Sequence, residues 1–99
     1  MSYVIRWLHE AEMTMIQNMD YLAANWDNKV QYQFFSDVES ALLKLKEDPQ
    51  LYPLYRPESN IRKYKINKRV ILYFRVIDST TIELMTFWNT YRDPKNLKL

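Results

Sequence analysis

The chain predicts an α+β fold, an antiparallel sheet packed on an N-terminal helical hairpin in the order β-α-α-β-β-β. Three observations predict it. Apolar residues recur every three or four positions from Ala11 to Leu45. They alternate or run together from Asn60 to Trp88. A proline pair, Pro49 and Pro53, separates the two regimes. A switch of period from 3.6 to 2 marks helices followed by strands, and helices followed by a meander imply one layer of each.

Ser2 to Leu8 reads as a short strand, with Tyr3, Ile5 and Trp7 alternating with Val4 and Arg6. His9 and Glu10 open the first helix. Its apolar positions are Ala11, Met15, Ile16, Met19, Leu22, Ala23 and Trp26. Asp27 and Asn28 interrupt that pattern and are suited to cap a second helix. This helix runs to about Asp48 and carries Val30, Phe34, Val38, Ala41, Leu42 and Leu45 on its inner stripe. So short a join makes an antiparallel hairpin. Pro49 stops the helix, and Gln50 to Ser59 is a loop. Asn60 to Ile66, Arg69 to Ile77 and Thr80 to Trp88 are three strands, with tight turns at Asn67-Lys68 and Asp78-Ser79. The strand from Arg69 is apolar on both faces, which places it centrally. Asn89 to Leu99 is a polar tail containing Pro94.

With 99 residues the chain makes a single domain spanning 1–99 with one modest core. At 47% hydrophobic and 15% aromatic it is a folded protein, not a disordered one. It has no cysteine and no glycine, and one histidine, His9. Cysteine–zinc sites, cysteine nucleophiles and glycine-rich phosphate loops are thereby excluded, and no metal or cofactor is expected. His9 is read as a helix-start residue without a catalytic part. No apolar run reaches the length of a membrane span, and the first residues do not form a signal peptide, so a cytoplasmic protein is expected.

The net charge of +2 conceals an asymmetry. Four basic residues face eight acidic ones up to Asp48, a balance of −4; ten face four after it, a balance of +6. The basic half suits an anionic partner, either nucleic acid or an acidic protein segment, or it is simply a solvated surface. Arg62, Lys63 and Lys65 share that ambiguity, being either functional or the solvated residues of an exposed strand. Tyr64, Tyr73 and Phe74 read as core packing rather than base-stacking platforms. Arg75, mid-strand among apolar residues, either pairs with a carboxylate such as Glu83 or opens into a groove. Trp88 is either an anchor or a core plug.

Three strings together resemble the RelE/ParE superfamily of toxins, on its ParE-like branch, over nearly the whole chain. They are NIRKYKINKRVILYFRVID from Asn60 to Asp78, FWNTYRDPKNL from Phe87 to Leu97, and the helix end LLKLKEDPQLYP. The resemblance implies the toxin of a type II toxin–antitoxin, or plasmid stabilization, system that inhibits growth and is neutralised by a cognate antitoxin. ParE-like toxins block DNA gyrase; RelE-like ones cut messenger RNA on the ribosome.

Cleavage through the 2′-hydroxyl needs a base, a cation for the phosphate and an acid for the leaving oxygen. The RelE-like set is incomplete here. Lys65 stands at the family's first strand lysine, Asn67 at its second, and Ile71 at an expected arginine. If the chain is an RNase, Lys65, Arg75, Tyr91 and Arg92 are the groups that would act. As a binding toxin, it would use Tyr52, Tyr55, Arg62, Lys63, Lys65, Trp88 and Arg92 against its antitoxin or target.

Overall fold

Ile5 and Trp7 turn inward and Val4 and Arg6 outward from a four-residue strand, β1 (Val4–Trp7), and Tyr3 just before it is half-buried. The computed structural model describes residues 2–99. Helix α1 spans His9–Asn25 and α2 spans Asn28–Glu47. The Asp27 carboxylate caps α2 as predicted, accepting from the backbone N–H groups of Lys29 (3.0 Å) and Val30 (3.3 Å). Pro49 opens a single 3-10 turn, Pro49–Leu51. Strands β2 (Ile61–Lys65), β3 (Val70–Val76) and β4 (Thr81–Asn89) complete the sheet, and a second 3-10 turn, Pro94–Asn96, lies in the tail.

The strand order is β1-β4-β3-β2. The α+β class and the central β3 agree with expectation, but the sheet is mixed rather than wholly antiparallel. β1 pairs with β4 in parallel, Val4 beside Thr81 through Trp7 beside Leu84. Parallel neighbours need a long crossover, and here the helical hairpin and the β2–β3 unit together supply it. The direction of β1 is thus decided by where the hairpin returns the chain, not by β1's own residues.

Between hairpin and sheet lies the core: Ala11, Phe34, Val38, Ala41 and Leu45 from the helices against Leu72, Phe74, Ile82, Leu84 and Phe87. The register shifts between Tyr73↔Thr86 and Phe74↔Leu84, leaving Met85 as an extra residue in β4. This bulge lets both Leu84 and Phe87 face the helices although they are three apart.

The α1 stripe departs from expectation. Ile16, Ala23 and Trp26 face solvent, and the buried positions include Thr14 and Asn18. The cause is the shortness of β1. Pairing along the outer edge of β4 stops where the Leu8 N–H meets the Leu84 carbonyl (3.1 Å). Further on, α1 replaces a strand. Thr14 Oγ1 accepts from the Phe87 N–H (2.9 Å), and Asn18 Nδ2 donates to the Phe87 carbonyl (3.1 Å). Buried backbone polar groups must be paired, so two polar residues occupy the inner face of an otherwise apolar helix.

The opposite edge of the sheet is covered as well. Lys63 N–H donates to the Pro53 carbonyl (3.0 Å) and Tyr55 N–H to the Ile61 carbonyl (2.7 Å), with Leu54 bridged to Arg62. β2 is therefore not the open, solvated strand that its charges suggest. The β2–β3 turn is also wider than the predicted pair Asn67-Lys68. It uses Asn67, Lys68 and Arg69, closed by the Asn67 Oδ1 accepting from the N–H groups of Arg69 (2.8 Å) and Val70 (2.9 Å). A two-residue hairpin turn needs positive φ, and none of the described residues adopts it.

Candidate functional site

The helices cover one face of the sheet; the other face carries most of the residues singled out above. Cross-strand register arranges them in rows. One row holds Arg6, Glu83, Arg75 and Ile61; the next Thr86, Tyr73 and Lys63; the third Trp88, Ile71 and Lys65.

Glu83 organises the first row. It is only 2% exposed, yet it lies between two guanidinium groups. Arg75 Nε donates to Glu83 Oε1 at 2.7 Å, and Arg6 donates to Oε2 through Nε at 3.1 Å and through a second, shorter contact from Nη2. The Arg6 hydrogen bonds hold the Glu83 carboxyl below its ordinary range, against the opposing effect of burial and with further help from Arg75. Of the two roles open to Arg75, pairing with Glu83 is the one observed. Arg6 had no signal in the sequence, because its place beside Glu83 depends on the parallel registration of β1.

In the second row Tyr73 is buried under Tyr55, ring centroids 5.3 Å apart and nearly perpendicular. Burial first, and the nearby Tyr55 second, push the Tyr73 phenol above its ordinary value. Lys63 is half-buried beside it. In the third row Trp88 is 6% exposed and acts as a plug, with the Arg92 guanidinium 4.6 Å above its ring. Lys65 is exposed, two strands from Trp88, or about 10 Å at the usual strand spacing.

Several predicted anchors prove to be occupied within the chain. Tyr52 packs edge-on against Tyr64 (5.0 Å) and Phe74 (6.5 Å). Arg62 points to the helix-covered side, where its Nη1 donates to the carbonyls of Tyr52 (2.7 Å) and Gln50 (3.4 Å). These two residues fasten the proline-containing loop to the sheet instead of standing free. Tyr91 is 74% exposed, and its ring lies 5.4 Å from the Arg69 guanidinium, which also sits 5.2 Å from the ring of Trp26. This stack joins tail, turn and hairpin, and no spacing in the sequence announces it.

The proposed RNase set is therefore only partly assembled. Lys65, Trp88 and Arg92 share one end of the open face. Arg75 lies four residues along β3 from Ile71, about 13 Å away, and is paired with Glu83, which it shares with Arg6. Asn67 spends its amide oxygen on the β2–β3 turn, and Ile71 brings no charge. Among the described residues, no three His, Asp or Glu side chains are grouped to hold a metal ion, and no helix is long and apolar enough to cross a membrane.

The family model for the ParE toxin of type II toxin-antitoxin system, parDE, matches residues 5–94. The chain belongs to the ParE toxin family. Two of the three strings lie wholly within that span, and the third, from Phe87 to Leu97, runs three residues past its end. Solved structures share the fold at low identity. A chromosomal ParDE toxin–antitoxin system from P. aeruginosa superposes with a TM-score of 0.73 at 11% identity, over 89% of this chain and 96% of that one. The RelBE2 toxin–antitoxin complex from Mycobacterium tuberculosis gives 0.63 at 16%, over 90% and 99%. The YoeB dimer from Staphylococcus aureus gives 0.61 at 14%, over 92% and 100%. No curated protein sequence matches the chain at a significant level. About nine-tenths of this ParE-family chain superposes on each of these folds.

Proposed function

We propose that this ParE-family toxin inhibits growth by binding a cellular target in the cytoplasm, DNA gyrase by family resemblance, and that a cognate antitoxin neutralises it. The observation that carries this reading is the state of the charges on the open face. Two of its arginines, Arg6 and Arg75, share the single Glu83 carboxylate, and Tyr73 is a buried phenol. Acid–base cleavage of RNA needs a proton acceptor beside a free cation, and neither Arg6 nor Arg75 offers that combination. The antitoxin partner is supported by the similar structures solved as toxin–antitoxin complexes. Purified protein added to a gyrase supercoiling reaction tests the target. Inhibition is expected, and full supercoiling at a large excess of toxin removes gyrase from the proposal.

One observation favours a second reading, a ribosome-dependent endoribonuclease. Lys65 and Arg92 lie at the same end of the open face and offer two cations to a phosphate. This reading requires codon-positioned cuts in translated messages that vanish in Lys65→Ala and Arg92→Ala. Primer extension that finds intact messages during growth arrest excludes it.

A further inference from the structure

An apolar groove of about 530 Å³ runs between β1, the outermost strand on that side of the sheet, and the C-terminal half of α2. Ile5 and Trp7 line it from the strand, and Leu42 and Leu43 from the helix. Leu43 is 65% exposed, and Phe35, two turns earlier on the same stripe, is exposed as well. Contiguous apolar surface framed by polar residues marks a place where another molecule sits.

The rim defines the kind of molecule. Glu39 and Lys46 stand on it, and neither forms an ion pair among the described residues, whose two salt bridges both belong to Glu83. They lie seven residues apart on one helix, two turns or about 10 Å, with Leu42 and Leu43 midway between them. One acid and one base leave the rim without net charge, so it favours neither an acidic nor a basic partner. It is complementary to a surface that carries the same pair in reverse order. The α2 helix of a second copy, laid antiparallel across the first, is such a surface. Glu39 of each copy then meets Lys46 of the other, and the two Leu42–Leu43 pairs meet at the axis. A two-fold contact requires this self-complementarity.

Strand pairing through β1 is the less favourable way to join two copies. The Tyr3 N–H already donates to the Lys46 carbonyl (3.0 Å), so the end of α2 covers the start of that edge. An antiparallel β1 pair centred on Arg6 would also set two arginines directly opposite each other. We propose that the chain self-associates as a two-fold dimer through antiparallel packing of α2 on α2 across this groove. The proposal concerns the chain alone and holds whether its target is gyrase or a message.

Sedimentation of the purified full-length toxin over a range of concentrations tests it. A reversible monomer–dimer equilibrium is expected. Leu43→Glu, at an exposed position, is expected to leave only monomer. Glu39→Lys and Lys46→Glu each set like charges opposite at two symmetric places, and each is expected to weaken the dimer about tenfold, less as salt rises. The double exchange, Glu39→Lys with Lys46→Glu, restores opposite charges and is expected to recover most of the wild-type affinity. All variants are checked for native circular dichroism. Wild-type protein that stays monomeric at the highest concentration it tolerates overturns the proposal. So does a dimer indifferent to Leu43→Glu, or a double exchange that binds no better than the single ones. Hydrogen-exchange protection of residues 39–46 that appears only when the product of the adjoining reading frame is added assigns the groove to that product, and overturns the proposal too.

Discussion

The two faces of the sheet are both largely dry, but for different reasons. Toward the helices, Leu72, Phe74, Ile82, Leu84 and Phe87 are buried by apolar neighbours. On the open face, Glu83, Tyr73 and Trp88 are buried under charged or aromatic partners: Arg6 and Arg75 over Glu83, Tyr55 over Tyr73, Arg92 over Trp88. The first face is held by area removed from water. The second is held by pairings whose outer members remain in solvent. Such a face contributes less to stability and leaves cations and rings where a partner can reach them.

The comparison breaks most visibly on the helix-covered side. Phe74 is fully buried in the core, so Phe74→Ala is expected to cost about 3–5 kcal/mol, read as a lower urea midpoint with little change in slope. A loss no larger than that of an open-face substitution would erase the distinction. Asn18→Leu comes next, at about 1–3 kcal/mol, because it leaves the buried Phe87 carbonyl without its donor. An unchanged midpoint would mean that α1 does not serve as a substitute strand.

Glu83→Gln tests the open face, with a similar expected loss of about 1–3 kcal/mol at neutral pH. The loss stays moderate because both arginines can turn to water when the charge goes. Its pH dependence has a definite sign. The folded carboxyl lies below its ordinary value of 4.5, so its contribution is complete above 4.5 and disappears as pH falls through the lowered folded value. Wild type and variant should therefore converge in strong acid, and urea titrations at neutral and acidic pH will show whether they do. The smallest stability effect belongs to Lys65→Ala, within about 0.5 kcal/mol, since the side chain is exposed and no partner orders it. A larger loss would place Lys65 among the structural pairings.

Some parts of this molecule were legible from local pattern alone. The α2 stripe of Phe34, Val38, Ala41, Leu42 and Leu45 is inward in the fold, although Val30, predicted with it, is exposed in the first turn, and Asp27 caps the helix that it precedes. β3 is central, as its two apolar faces require. The site was less legible. Arg75 had two roles open and takes the Glu83 pairing, and Trp88 proved to be the plug rather than the free anchor. Tyr52 and Arg62 were both expected at the binding surface, yet the proline-containing loop folds back onto β2 and engages them internally. Trp26 read as part of the inner stripe, but α1 ends at Asn25, and the extended C-cap residue Trp26 leaves its ring at the mouth of a groove.

By itself the sequence determined element order, helix limits, the central strand and the family, because periodicity, caps and prolines act within a few residues of one another. Tertiary structure alone decided that β1 lies parallel to β4. That choice in turn set Arg6 on Glu83 and left the edge at Phe87 for Thr14 and Asn18 to satisfy. Likewise the Trp26–Arg69–Tyr91 stack joins residues far apart in the chain. The physical reason is common to all of these. Contacts across the sheet depend on where a long crossover returns the chain, and a return point is a property of the packed whole rather than of any local segment.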